Sequence, residues 1–293
     1  MDLPFALPPT LENGPCPLWT GTKFLIGNEQ TNVLHYSTNN KGWNDNLTNY
    51  AFEEVTDADY FMHKASRMHT LHQLKATLKH PKPTILEIGC ATGFMLKEIY
   101  ATFPKATVIG SDVVYDPLLK LAGQLPIPLL RFDLLQCPLP DNSIDAIVCL
   151  NVLEHIEDDQ SALDQIYRIL KPGGVFIIEV PAGPHLYDIH DEMYMHFRRY
   201  KLTPLCRLLK QKYFTLLKQS HLGFFIYPAF WLVKQKNKRF LAQPEAVKRQ
   251  LVEKSIRQTG NSKILSKMTA LELALGRFIS YPFGIRCLVS CIK

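Results

Sequence analysis

Residues 84–93 read Thr-Ile-Leu-Glu-Ile-Gly-Cys-Ala-Thr-Gly, and this segment is the strongest indication of the fold class. Its apolar run predicts a buried strand at Thr84–Ile88, and the small residues that follow predict a tight turn into a helix that starts near Gly93. Small residues let the backbone approach a ligand closely, and the amides of a helix start favour an anionic group. Glu87 would repel a phosphate there, so the turn suits a ligand that carries an ammonium as well as a carboxylate.

The residues beyond this turn continue to alternate strand-like and helix-like segments. Further strands are predicted at Thr107–Ser111, Leu129–Phe132, Ile144–Leu150 and Val175–Val180, with helices that start near Pro117 and Ser161. This alternation predicts an α/β fold with a Rossmann-like, doubly wound sheet that is mostly parallel. Later elements are predicted at Thr203–Lys212 (helix), Phe214–Gln219 (strand), Leu265–Phe278 (helix) and Gly284–Ile292 (strand). The last strand suits an antiparallel sheet edge because it ends the chain.

Four segments follow from these elements. Residues 1–80 form a cap, irregular to about residue 56 and then an amphipathic helix over Asp57–Leu78. Residues 81–222 form the core, residues 223–280 an aromatic and basic helical insertion, and residues 281–293 the C-terminal edge strand.

The order of the motifs resembles that of class I S-adenosylmethionine-dependent methyltransferases over about residues 80–220. The matching positions are the loop Glu87–Gly93, Asp112 and Asp133 after the next two strands, Asn151–Ile156, and the turn Lys171–Gly174. A nicotinamide dehydrogenase is opposed by the absence of the third glycine of G-x-G-x-x-G.

This resemblance implies S-adenosylmethionine as the cofactor and assigns it a set of residues. The loop would hold the methionine moiety, Asp112 the ribose hydroxyls and Asp133 the adenine side, with Asn151 beneath the cofactor. The implied cofactor-binding residues are Glu87, Gly89, Cys90, Ala91, Gly93, Asp112, Val113, Asp133, Leu134 and Asn151. Ala91 stands where the family usually has a glycine. Asp112 could alternatively cap the following segment, and Glu154 and His155 could cap the next helix.

The His-rich loop at 181–200 supplies candidates for acceptor chemistry. His196, His190 and His155 are candidate bases, because histidine titrates near neutral pH. His196–Tyr200 is similar to an H-x-R-R-Y element of bacterial methyltransferases, and it makes Arg198, Arg199 and Tyr200 candidate substrate-binding residues. The alternative is that these residues form internal salt bridges with Asp188, Asp191 and Glu192. No metal is expected, since His185, His190, His196 and Asp188 match no standard ligand spacing.

The charge of the chain is uneven. The formal net charge is +6, and the aromatic run Phe224–Trp231 meets a basic segment that extends to Gln258. Such an arrangement is used at anionic membrane surfaces, although a core element followed by a solvated helix would look the same. We expect no nucleic-acid partner, since no recognition signature organises the charge.

The remaining features predict a cytoplasmic location, with peripheral contact to the inner face of the membrane through residues 224–257. No basic and apolar leader follows Met1, and no apolar stretch reaches the roughly 20 residues of a spanning helix. The cysteines lie mostly in apolar runs without a CxxC pair, which predicts buried thiols.

The favoured function is methyl transfer to an oxygen or nitrogen, less readily a carbon, of a small-molecule, lipid-linked or glycan acceptor. The alternative is a non-catalytic cofactor-binding scaffold or regulator. The oligomeric state is not indicated.

Overall fold

A computed structural model describes residues 3–12, 14–37, 60–259 and 262–293, without the side chains of 256–259. Eight strands of the described chain form one sheet: β4 (Leu34–His35), β5 (Thr84–Ile88), β6 (Thr107–Asp112), β7 (Leu129–Arg131), β8 (Ile144–Leu150), β9 (Leu170–Pro181), β10 (Thr215–Leu222) and β11 (Arg286–Ile292). Their order in the sheet is β10-β11-β9-β8-β5-β6-β7-β4. The predicted Rossmann-like α/β fold is confirmed.

Helices cover both faces of this sheet. They are α1 (Phe61–Thr77), α2 (Phe94–Thr102), α3 (Tyr115–Leu121), α4 (Asp159–Ile169), α5 (Ile189–Met193), α6 (Leu202–Gln211), α7 (Tyr227–Asn237), α8 (Glu245–Thr259) and α9 (Lys263–Leu275). Side chains of alternate residues of β5 serve opposite faces: Leu86 and Ile88 pack into one buried cluster, and Ile85 packs into the other. Strands that are buried on both faces read as the continuous apolar runs seen in the sequence.

The C-terminal strand is predicted to lie at the edge of the sheet, and this predicted position is wrong. β11 is antiparallel to both β9 and β10 and lies between them, so β10 is the edge. β10 therefore runs parallel to β9. Insertion between two strands satisfies the backbone groups of β11 on both sides, whereas an edge strand leaves those on one side unpaired.

The N-terminal segment is more regular than predicted. The described part contains an antiparallel sheet of β1 (Leu18–Trp19), β2 (Phe24–Ile26) and β3 (Glu29–Thr31). β4 joins the main sheet parallel to β7. Strands of two or three residues leave too little alternation to be seen in a sequence rich in Pro, Asn and Gly. Residues 57–59, at the start of the predicted helix, lie outside the described residues.

The helices α7, α8 and α9 lie within the predicted insertion. α9 packs against α1 through Leu265 and Met268, which contact a cluster around Phe61 and Met62. α8 packs against α5. Among the described helices, none is both long and apolar enough to cross a membrane. Six cysteines are buried free thiols as predicted, whereas Cys16 is exposed.

Candidate active site

A cavity of about 630 Å³ lies at the carboxyl ends of β5, β6 and β8. The loops after these strands form one side of it, while α1, α5 and α7 supply residues on the other side. Open α/β sheets bind their ligands at this end, where the strand order reverses. The sheet topology therefore gathers side chains that are far apart in the chain around one enclosed space.

The loop after β5 follows an unusual backbone path. Gly89, Ala91 and Gly93 all have positive φ, at 73°, 45° and 74°. A Cβ added at Gly89 would overlap Cγ2 of Val152, so a glycine is required there. Gly93 does not line the cavity; its missing side chain lets α2 approach Leu121, and its predicted contact with the cofactor is at most indirect.

Asp112 holds this loop in place. Its Oδ2 accepts a hydrogen bond from the Ala91 amide at 2.9 Å, and its Oδ1 accepts one from the Val114 amide at 2.9 Å. Each oxygen keeps a further lone pair, which can accept a ribose hydroxyl. Asp112 therefore lines the cavity while it fixes the backbone that leads into α3, and no side-chain hydrogen bond caps that helix.

Glu87 offers a buried negative group to the cavity. It is 5% exposed, and its Oε2 has no hydrogen-bond partner among the residues that the structure describes. Burial raises the pKa of Glu87 well above its usual range, and the neighbouring Asp112 carboxylate raises it further. An unsatisfied buried carboxylate beside a glycine turn fits the ammonium of an amino-acid moiety.

The remaining predicted cofactor residues also border the cavity. Cys90, Val113, Asp133, Leu134 and Asn151 all line it. Asp133 Oδ1 accepts a hydrogen bond from the Leu135 amide at 2.9 Å and so caps the short helix Leu134–Gln136. Asn151 has a positive φ of 54° and donates from Nδ2 to Oε1 of Glu179 at 3.2 Å.

The predicted base candidates meet on the opposite wall. His155, His190 and His196 all line the cavity. His196 Nδ1 lies 2.8 Å from Asp191 Oδ1, and its ring centroid lies 4.7 Å from that of His155. Burial lowers the pKa of His196 more than the hydrogen bond with Asp191 raises it, which favours a neutral imidazole.

Two fully buried carboxylates organise this wall. Asp188 and Asp191 are both 0% exposed and form a capping box at the start of α5. Lys234 of α7 donates to Asp188 Oδ1 at 2.6 Å, and Arg199 donates from Nε to Asp191 Oδ1 at 2.7 Å. The alternative of internal salt bridges therefore describes Arg199, although Arg199 also lines the cavity.

Arg198 and Tyr200 lie outside the cavity. Arg198 donates to the carbonyls of Ile156 and Glu157 and pairs with Asp159, whereas the Tyr200 hydroxyl donates to Asp159 Oδ2 at 2.8 Å. Both side chains hold the loop after β8, so their predicted substrate contact finds no support in this arrangement. The sequence could not separate Arg198 from Arg199, because neighbouring residues of a loop can point to opposite sides.

His185, His190 and His196 do not form one group of metal ligands. His185 Nε2 lies 2.8 Å from the Tyr227 hydroxyl, while His190 faces Asp188 and Asn237. A different trio within the described chain has its ligand atoms within 4.8 Å of one another: Glu154, His155 and His196. Burial raises the pKa of Glu154 to about 8, against a smaller opposing effect of its own amide.

Sequence reasoning missed a second buried network beside the cavity. Glu179 Oε1 accepts hydrogen bonds from the Ser66 hydroxyl at 2.7 Å and from Arg286. These residues come from β9, α1 and β11, and no local pattern connects them. Lys234 was likewise missed as a structural cation, since it sits within a run of lysines.

Comparisons with known proteins agree with this geometry. Residues 86–178 match a family model described as "Methyltransferase domain". A trans-aconitate 2-methyltransferase of Deinococcus radiodurans is 31% identical over 125 residues, which cover 42% of this chain and 48% of that protein. A demethylmenaquinone methyltransferase of Thermus thermophilus is 32% identical over 113 residues, covering 36% and 50%. The chain thus spans about half the length of these relatives.

Solved structures extend the likeness to most of the fold. A chain of the complex between the Haloferax volcanii Trm112 methyltransferase activator and a methyltransferase has a TM-score of 0.55 at 15% identity. The match covers 85% of this chain and 98% of the other. At that identity the likeness concerns the fold, and it includes regions on either side of residues 86–178.

Proposed function

We propose, from the premise that residues 86–178 form a class I S-adenosylmethionine-dependent methyltransferase domain, that this chain transfers a methyl group to a small-molecule acceptor. S-adenosylmethionine is the cofactor of that family, and the cavity has the features that such a ligand needs. The observation that carries the proposal is Glu87, a buried carboxylate with an unsatisfied oxygen, next to a turn held open by Gly89.

The chain's own residues divide the work of binding. Glu87 suits the ammonium of the amino-acid moiety, the loop amides suit its carboxylate, and Asp112 suits the ribose hydroxyls. Asp133 and Leu134, which line the cavity, are the residues that we propose for the adenine side. When bound, S-adenosylmethionine supplies an electrophilic methyl group on a sulfonium.

Alignment and proton removal are the protein's remaining tasks. Methyl transfer is an in-line displacement, so the walls must hold the acceptor at near-attack distance and exclude water. His196 and His190 line the cavity and are the proposed acceptors of the proton that an oxygen or nitrogen nucleophile loses. The hydrogen bond from Nδ1 of His196 to Oδ1 of Asp191 would fix the orientation of the His196 ring.

The acceptor class follows from the shape of the site and from the relatives. The cavity is enclosed by α7 and is mostly lined by apolar residues, which suits a small organic molecule or the head of a lipid-linked or glycan acceptor. Relatives with an acceptor in their names act on trans-aconitate and demethylmenaquinone. We propose an acceptor of that size, methylated on oxygen or nitrogen.

Calorimetric titration with S-adenosylmethionine and S-adenosylhomocysteine tests the first step, after mass spectrometry has shown whether a ligand co-purifies. We expect one site per chain with micromolar affinity. A ligand-free protein that binds neither compound would contradict the proposal. The scaffold alternative predicts binding without turnover, so transfer of a labelled methyl group to any compound of a metabolite extract would exclude it.

We further propose that α7 contacts an anionic membrane from the cytoplasmic side. Trp231 and Leu232 are 41% and 63% exposed, and Lys236 and Arg239 beside them are exposed cations. Lys234 cannot contact the membrane, because its side chain is buried and donates a hydrogen bond to Asp188. Co-sedimentation with phosphatidylserine vesicles that fades with salt, and that Trp231→Ser with Leu232→Ser abolishes, is the expected result. Equal recovery with neutral and anionic vesicles would contradict it.

A further inference from the structure

Three side chains with metal-binding atoms converge on the wall of the cavity. Glu154 and His155 belong to the short helix Leu153–His155, and His196 comes from the loop before α6. One ligand atom from each lies within 4.8 Å of the others. All three residues border the same space as Glu87 and Asp112.

Glu154 is the first observation that points to a ligand. It is 0% exposed, and neither of its carboxylate oxygens meets hydrogen-bond geometry with any group in the described ranges. A buried carboxylate usually has its lone pairs satisfied, because leaving such a group unpaired costs about 1–3 kcal/mol or more. A cation bound in the cavity would supply the missing partner.

His196 is the second observation that points to a ligand. Its Nδ1 faces Asp191 Oδ1 at 2.8 Å, which leaves Nε2 for the cavity. A carboxylate behind a histidine is the usual arrangement of a metal ligand, since it fixes the tautomer and the ring orientation. Asp191 is itself held by Arg199. His155 contacts the backbone of Tyr194, and a neutral imidazole with one donating nitrogen keeps the other as an acceptor.

We infer that Glu154, His155 and His196 bind a divalent transition-metal ion. Two imidazoles and one carboxylate are ligands suited to zinc, manganese, iron or cobalt rather than to magnesium, which prefers oxygen alone. Such ions lie about 2.0–2.2 Å from each ligand atom, so two ligand atoms on opposite sides of the ion lie about 4.2 Å apart. The three ligand atoms of this site lie within 4.8 Å of one another, which is slightly wider than that separation.

Three protein ligands leave further coordination positions open to the cavity. This extension rests on the proposed function: an acceptor oxygen would occupy an open position, and the ion would lower the pKa of an acceptor hydroxyl as a Lewis acid. The acceptor class narrows accordingly to compounds that present a hydroxyl, enol or carboxylate oxygen near the methylated atom. His196 then serves as a ligand, and His190 remains the histidine available as a base.

The test uses the full chain, treated with a chelator and titrated with Co²⁺, with visible absorption and calorimetry as readouts. We expect one ion per chain and a ligand-field spectrum of a nitrogen and oxygen site. Glu154→Gln and His196→Ala should each weaken binding at least tenfold. His80→Ala, which alters an exposed histidine, is the matched control and should bind like the wild type. Circular dichroism checks that each variant is folded.

A second titration with S-adenosylhomocysteine separates the two proposals. Binding of S-adenosylhomocysteine without Co²⁺ binding would overturn the metal site and leave the methyltransferase assignment standing. Co²⁺ binding without S-adenosylhomocysteine binding would support the ion site and contradict the proposed function. Stoichiometric Co²⁺ binding that is unchanged in both Glu154→Gln and His196→Ala would place the ion elsewhere and overturn the proposal.

Discussion

Lys234 Nζ lies 2.6 Å from Asp188 Oδ1, and both side chains are buried. This pair connects α7 to Asp188, the N-cap residue of α5, so it fastens the helical insertion onto the segment that carries His190 and His196. Asn237, on the same helix, donates to the other oxygen of Asp188 at 2.9 Å. The insertion is therefore part of the site wall.

Replacing Lys234 should lower the stability of the fold. Lys234→Met leaves Asp188 buried without its cation, which typically lowers the free energy of unfolding by about 3–5 kcal/mol. Urea denaturation measures the loss. Lys236→Met, which changes an exposed lysine on the same helix, should alter stability by less than about 0.5 kcal/mol. Equal effects of the two variants would show that the buried pair contributes nothing specific.

The same pair predicts how stability depends on pH. Although burial raises the pKa of Asp188, the hydrogen bond from His190 and the charge of Lys234 outweigh it, so the pKa is lowered. A lowered carboxyl pKa gives stability that is complete above the unfolded value of about 3.9 and is lost as the pH falls through the folded pKa. The wild type should exceed Asp188→Asn in stability by a constant amount from neutral pH to about pH 5, and by less below about pH 4. A difference that grows on acidification would contradict this assignment.

The sequence predicted best the strands that lie in the middle of the sheet. Thr84–Ile88 and Ile144–Leu150 are found with the predicted bounds, because a strand between two helical layers is mostly apolar on both faces. The place of β11 was not predictable, since its neighbours depend on pairing between residues more than 60 positions apart and not on its own composition.

The two sides of the site also differ in how far the sequence predicts them. The cofactor side follows short motifs at the ends of successive strands, so Glu87 and Asp112 could be chosen from the sequence. The acceptor side depends on contacts such as Lys234 with Asp188 and Ser66 with Glu179, which join distant segments. In the sequence, Lys234 looks like one more exposed residue of a basic run, and only the folded structure shows that it is buried.

Gly89 should tolerate no side chain. Gly89→Ala places a Cβ against Val152 and forces a left-handed φ that costs an L-residue about 1–2 kcal/mol. We expect lower stability and at least tenfold weaker binding of S-adenosylhomocysteine by calorimetry.

Gly173→Ala is the matched control for this variant. Gly173 has a φ of 75°, but a Cβ there meets nothing within 4 Å, so that variant should show the backbone cost alone and bind normally. Adding Val152→Ala to Gly89→Ala should recover the steric part of the loss. No recovery in the double variant would assign the whole effect to the backbone.

Asp112→Ala removes both a ribose-binding group and the acceptor that fixes the Ala91 amide. The affinity for S-adenosylhomocysteine should fall at least tenfold, which corresponds to about 1.4 kcal/mol. Asp116→Ala, an exposed change in the first turn of α3, is the control and should bind as the wild type does. Unchanged calorimetric affinity in Asp112→Ala would remove this residue from the site.

Binding should also release protons from Glu87. Its pKa is raised well above the usual range by burial and by Asp112, so the ligand-free protein keeps the proton on Glu87 to a higher pH than an exposed glutamate does. The ammonium of S-adenosylhomocysteine favours the ionised carboxylate, so binding lowers this pKa, releases protons and strengthens as the pH rises. Calorimetry in two buffers of different ionisation enthalpy measures the release directly. Glu87→Gln keeps the shape of the side chain without the titration, so it should bind more weakly and release fewer protons than the wild type. Identical proton release in the two proteins would mean that another group titrates on binding and that Glu87 does not meet the ammonium.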